Sequence, residues 1–251
     1  MNRRVRRLSI VFALLGLVML AVTVQASTHV DLQYLGHMCI LIAAPDGTTI
    51  VCDPYHIIPG VEFGLTALPS DVAADAVTVT HAHVDHNNTT AFPGATVINA
   101  PGEYQIGAAT ITGYDSFHGE EGEMSAQPNV VFVIEVAGVK IVHFGDSVVV
   151  TDEATIAEIS NADVALLNID PYVIPLTEGM PFMDHIGART IIPSHYTHGS
   201  AAAGPQFVSL QAFLNRLDSE VMVSNGATEI RVNPGMPRQV VVLKPLFLDS
   251  N

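Results

Sequence analysis

The run Thr80-His-Ala-His-Val-Asp-His86 places four metal-ligating side chains within six residues, directly after the β-prone segment 75–80. Alternate residues of an extended chain share a face, so His81 and His83 present their imidazoles to one side, with Asp85 and His86 close behind. A cluster this dense constrains the whole chain, because further ligands must come from distant positions. The sequence offers them in one kind of place, just past a short apolar strand. His118 follows 111–117, Asp146 follows 141–144 and His195 follows 191–193. Loops leaving the strand ends of a rigid sheet are where reactive groups sit. The expectation is an α/β (α+β) chain whose strand ends converge on one edge.

Other patterning supports such a chain. Residues 30–42 and 48–52 read as a hairpin about Pro45-Asp46-Gly47, and 95–99 and 108–114 as further strands. Segments 129–136 and 139–144 flank Ala137-Gly138, a two-residue hairpin signal. Residues 151–160 predict a helix with Asp152 and Glu153 in its first turn. Strands at 164–169, 190–193 and 240–243 follow. Phe207, Leu210, Leu214 and Leu217 give 206–217 a helical period.

With 251 residues, 49% of them hydrophobic and 14% charged, the chain has the material for one large core. Residues 1–26 read as a signal peptide: basic Arg3, Arg4, Arg6 and Arg7, an apolar stretch over 8–24, and the small-residue site Val24-Gln25-Ala26. The alternative is an uncleaved membrane anchor, since about 17 apolar residues approach a span. The expected location is therefore exported, periplasmic or extracellular, with no stable membrane insertion once residues 1–26 are removed. The mature chain, 27–251, loses four arginines and keeps 6 basic side chains against 25 acidic ones, a formal charge of −19. Such a surface repels nucleic acid, whose binding is dominated by the phosphate backbone. A small-molecule substrate is the expected partner, and the sequence leaves the oligomeric state open. Cys39 and Cys52 lie on either side of the first turn, open to two readings: a cross-strand disulfide or two buried thiols.

The run 80–86 resembles the signature of the metallo-β-lactamase-fold hydrolases. The remaining pieces stand in that family's order: Phe117-His-Gly119, His143-Phe-Gly-Asp146 and Ile192-Pro-Ser-His-Tyr196. Tyr34-Leu-Gly-His37, Cys52-Asp-Pro54 and Pro101-Gly-Glu-Tyr104 are similar to the branch that includes L-ascorbate-6-phosphate lactonase-like proteins and zinc-dependent hydrolases. The likeness covers residues 30–245 and implies a four-layer αββα sandwich. It also implies one metal on His81, His83 and His118, a second on Asp85, His86 and His195, and Asp146 between them. A nitrogen- and carboxylate-rich set suits two divalent zinc ions and admits manganese or iron. The implied reaction is attack of a metal-bound hydroxide on an ester- or lactone-type bond, with Asp85 as the catalytic proton acceptor. Asp53 is either a hydrogen-bond acceptor for a ligating imidazole or a turn residue. His37 and Tyr196 either touch substrate, Tyr196 at the oxyanion, or pack.

One segment departs from that branch: Asp170-Pro-Tyr-Val-Ile-Pro175 stands where relatives have a glycine-containing loop. Glu120, Glu121 and Glu123 follow His118, where a phosphate would call for arginine or lysine. A neutral or cationic substrate is therefore expected. A phosphodiesterase and a β-lactam hydrolase are the alternatives on the same site. A non-catalytic metal- or ligand-binding protein is the alternative of another class, opposed by a ligand set larger than the four a structural zinc needs.

Overall fold

Period-two alternation divides the strands between two packed sheets. The computed structural model describes residues 29–59, 63–70, 72–119, 127–147, 149–198, 210–219 and 221–248. The first sheet contains β1 (Val30–Gly36), β2 (Cys39–Ala43), β3 (Thr49–Cys52), β4 (Ala76–Thr78), β5 (Thr96–Ile98) and, from far along the chain, β13 (Glu229–Val232), in the order β13-β1-β2-β3-β4-β5. The second contains β6 (Gly102–Ile106), β7 (Ala109–His118), β8 (Gln127–Val136), β9 (Val139–His143), β10 (Val164–Asn168), β11 (Thr190–Ser194), β12 (Met222–Asn225) and β14 (Gln239–Val242). Its order is β12-β14-β11-β10-β9-β8-β7-β6. Strand β8 shows the logic: Val130, Phe132, Ile134 and Val136 enter the layer between the sheets, while Val131 and Val133 face the other way.

Helices α1 (Glu153–Ile159), α2 (Gly179–His185) and α3 (Leu210–Leu214) cover that outer face with Ile159, Phe182, Met183 and Phe213. Asp152 caps α1 by accepting the Thr155 amide at 2.8 Å. Over the first sheet the outer layer is irregular among the described residues: Tyr55, Phe63, Leu65, Leu68 and Phe92 fill it, with one 3-10 turn at Thr89–Ala91. Two facing sheets with helices over the outer face of one agree with the α/β sandwich that the motifs imply.

Three differences from the sequence reading have physical causes. Segment 30–42 is two strands, because Gly36 and His37 both take positive φ (129° and 56°) and turn the chain back so that Gly36 pairs with Cys39. Strands β6, β12 and β13 and helix α2 are too short or too polar for periodicity to find. Cys39 and Cys52 are both buried and free. Cys52 faces the inter-sheet core and Cys39 the opposite layer, which removes the disulfide alternative. The targeting segment, the three glutamates after His118 and the first part of the expected helix 206–217 lie outside the described residues. Among the described residues, no helix is long and apolar enough to cross a membrane.

Strands β3, β4 and β5 run parallel, as do β9, β10 and β11, so their carboxyl ends gather at one rim of the sandwich. Hydrogen bonds tie the sheets together there: Val130 N to Thr80 O (2.9 Å), His195 N to His37 O (3.0 Å) and His143 Nε2 to Met38 O (2.8 Å). Gly145 makes the approach possible. Its φ is +56°, and a Cβ on it would lie 2.2 Å from Thr80 Oγ1. Gly145→Ala should cost at least about 2 kcal/mol from left-handed strain and displacement of Thr80. Chemical denaturation would show it; a stability within 0.5 kcal/mol of the parent would contradict this account of the junction.

Candidate metal centre

Each strand end at the rim contributes one or more polar side chains. His37 comes from the β1–β2 turn, Asp53 from the end of β3, and His81, His83, Asp85 and His86 from the loop after β4. His118 ends β7, Asp146 follows β9, Asp170 follows β10 and His195 follows β11. Among the described residues, three groups have ligand atoms within 4.8 Å of one another; Asp53, His81 and His86 form one, and two four-residue groups divide the site. One is His81, His83, His118 and Asp146; the other is His37, Asp85, His86 and His195. The structure thus brings together all seven residues singled out as ligands and adds His37 beside them.

Asp146 stands between the groups. Its Oδ2 lies 3.6 Å from His81 Nε2 and 3.3 Å from His118 Nε2, while its Oδ1 lies 3.4 Å from His86 Nε2 and 3.6 Å from His195 Nε2. Asn168 Nδ2 donates to Oδ1 at 2.7 Å and holds the carboxylate in this orientation. Burial disfavours the charge on Asp146, yet His86 and His195 hold its pKa well below the ordinary carboxylate value.

The outward nitrogens of the imidazoles are already committed. His86 Nδ1 donates to Asp53 Oδ2 at 2.8 Å, and that carboxylate also accepts the Thr80 amide and hydroxyl at 2.8 and 2.6 Å. His195 Nδ1 faces Asp170 Oδ2 at 3.4 Å, His81 Nδ1 meets Thr80 Oγ1 at 3.1 Å, and His83 Nε2 meets Gln127 Oε1 at 3.0 Å. Three inward nitrogens, Nε2 of His81, His86 and His195, are buried with no hydrogen-bond partner. One such group costs about 1–3 kcal/mol, so three converging ones mark a place built for a cation. Fixing the far nitrogen with a carboxylate sets the tautomer that offers the near one. The residues present therefore fit divalent metal ions.

Charge tells the same story. Burial opposes protonation of His86 and His195, but Asp146 and their own carboxylate partners outweigh it and raise both pKa values. These histidines draw positive charge into a pocket of carboxylates, which is what a bound cation supplies. His81 behaves oppositely: burial and neighbouring His86 push its pKa down to about 4. Asp85 (17%), His118 (24%) and the half-buried His83 are the site side chains that reach solvent.

The secondary candidates also resolve. Asp53 is the acceptor for a site imidazole. His37 is fully buried and so does not meet substrate; its Nε2 lies 3.1 Å from Asp85 Oδ2, and burial pushes its pKa down to about 3. Tyr196 sits in the helix-side apolar layer with its hydroxyl on the Leu243 carbonyl at 3.4 Å, which removes it as an oxyanion donor. Asp170, Asn168 and Gln127 escaped sequence reasoning. Only Asp170 carried a signal, being an acid directly after the apolar strand 164–169.

Residues 31–195 match the family model of the beta-lactamase superfamily domain. A metal-dependent hydrolase of Rubrobacter xylanophilus is 30% identical over 200 residues, covering 66% of this chain and 81% of the relative. A metal-dependent hydrolase of Methanospirillum hungatei is 30% identical over 190 residues, with 66% and 82% covered. The crystal structure of a Thermotoga maritima protein described as a Zn-dependent hydrolase of the metallo-β-lactamase superfamily has a TM-score of 0.64 at 28% identity. It covers 85% of this chain and 98% of that one.

Proposed function

The chain belongs to the metallo-β-lactamase superfamily and is a metal-dependent hydrolase, and from that premise we propose that it holds two divalent ions and cleaves an ester- or lactone-type bond in a small, non-anionic molecule. The supporting observation is Asp146, whose two oxygens face two separate histidine groups. His81, His83 and His118 would hold one ion and Asp85, His86 and His195 the other, with Asp146 shared. Zinc suits this donor set best, as in the Thermotoga relative's description. Bound there, the pair would polarise the scissile carbonyl and lower the pKa of water.

The protein's own groups do the positioning. Asp53, Asp170 and Asn168 hold His86, His195 and Asp146 at fixed angles. Asp85 lies on the open side, with Oδ2 anchored by His37, and accepts the proton of the attacking water. The expected signal peptide, residues 1–26, supports export of the mature chain.

Metal analysis followed by a panel of lactone, aryl ester, phosphodiester and β-lactam substrates tests this reading. The expected result is two metals per chain and turnover confined to esters or lactones. One metal per chain with no turnover on any class would overturn it, and turnover of phosphodiesters alone would replace the substrate class.

A further inference from the structure

A cavity of about 670 Å³ lies beside the metal centre, and no metal ligand lines it. It runs between β7, Pro101 just before β6, the start of α1, and residues 173–178 after β10. That volume suits a small organic molecule. Its inner end adjoins the site through the chain itself: Ser116 and Phe117 lead into His118, and Ser147 follows Asp146. Tyr114, Phe117, Val149, Val150, Val173 and Ile174 give it an apolar wall. Its charged lining residues are Asp115, Asp152 and Glu178, with no lysine or arginine among them. The Asp152 carboxylate is taken up in capping α1, through the Thr155 amide and hydroxyl at 2.8 Å each. Asp115 and Glu178 are exposed at the rim.

The wall is also joined to a ligand. Val173 N and Ile174 N both donate to the Asp170 carbonyl, at 2.9 and 3.0 Å, and the Asp170 carboxylate faces His195. A group seated against Val173 and Ile174 therefore rests on the same residue that orients a metal-site imidazole.

We propose that this cavity receives the acyl portion of the substrate, that it selects an uncharged apolar chain, and that its acidic rim rejects acyl groups ending in a carboxylate. The proposal rests on the ester- or lactone-hydrolase reading, and it names the part of the molecule that sets specificity. Each methylene buried in such a wall is worth about 4-fold in kcat/KM. An anion carried into an apolar cavity without a cationic partner is penalised heavily.

The test uses the metal-loaded protein and p-nitrophenyl acetate, butyrate, hexanoate and octanoate, with the mono-p-nitrophenyl ester of suberic acid as the anionic counterpart of octanoate. The expected result is a kcat/KM that climbs along the series to at least tenfold above acetate, with the suberate ester at least tenfold below octanoate. Val149→Trp should shrink the octanoate-to-acetate ratio towards one, and Glu178→Lys should narrow the octanoate-to-suberate gap. In parallel, the neutral fluorophore N-phenyl-1-naphthylamine should bind, be displaced by octanamide but not by octanoate, and lose affinity in Val149→Trp. A flat series, or equal rates on octanoate and suberate esters, would overturn the cavity proposal and leave the hydrolase reading standing. No turnover on any ester or lactone, with fluorophore binding that Val149→Trp abolishes, would overturn the ester- or lactone-hydrolase reading and keep the apolar site. Fluorophore binding that Val149→Trp leaves unchanged, or no binding, would overturn the cavity.

Discussion

Asp146→Ala is expected to lower turnover by more than about a thousandfold and to reduce metal content below one ion per chain. Both effects follow from the same placement. Oδ1 and Oδ2 of this one carboxylate face four imidazoles from three segments, so its removal takes the shared ligand from both groups. It also leaves Asn168 Nδ2 without its acceptor in the interior. Elemental analysis after dialysis, together with kcat on the best ester of the panel, would measure this. A variant that kept two ions and turned over within tenfold of the parent would refute the placement of Asp146. The conservative Asp146→Asn is a useful companion: it keeps the volume but removes the charge, so metal content should fall while the melting curve stays cooperative.

Asp85→Asn separates chemistry from assembly. Asp85 contributes to only one group and lies on the solvent side, with Oδ2 3.1 Å from His37 Nε2 and 4.0 Å from His195 Nε2. An amide keeps the shape and loses the proton-accepting oxygen, so kcat should fall about 100- to 1000-fold. The group of His81, His83, His118 and Asp146 is untouched, and at least one metal per chain should remain. Retention of the parent kcat would dispose of Asp85 as the proton acceptor. Loss of all metal would instead make it a structural ligand.

The sequence exposed the centre so fully because its ligands are short-range features: a dense run in one loop, and single residues at the ends of apolar strands such as 141–144 and 191–193. The partners behind those ligands were much less visible. Asp170, Asn168 and Gln127 act through long-range neighbours, and nothing in local spacing distinguishes Asn168 from any other strand-end amide. His37, open in the sequence to substrate contact or packing, falls within residues 30–42, which look like one strand. Only the positive φ at Gly36 and His37 reveals a turn that delivers this ring to Asp85. Tyr196 shows the reverse case, a residue beside a ligand in sequence whose alternate-side geometry sends it into the apolar layer. Strand content was legible where period two ran long, as in β8, or where a short run was apolar, as in β3, and illegible in short polar strands such as β13.

Strand β13 has a bearing on how the molecule reaches its native state. β1 has a local partner in β2, but its other edge is closed by Glu229–Val232, with Val30 opposite Val232 and Asp31 opposite Arg231. Chain synthesis delivers those partners about two hundred residues apart, and pairings of such separation are slow to form. Until they form, β1 keeps an unpaired backbone edge flanked by buried Val30, Leu32 and Tyr34, a template for association with other chains. Loss of the C-terminal segment from residue 229 onward would therefore leave every proposed metal ligand in the chain and still yield aggregates, because β13, made late, closes the edge of β1, and β14, which joins β12 to β11, goes with it.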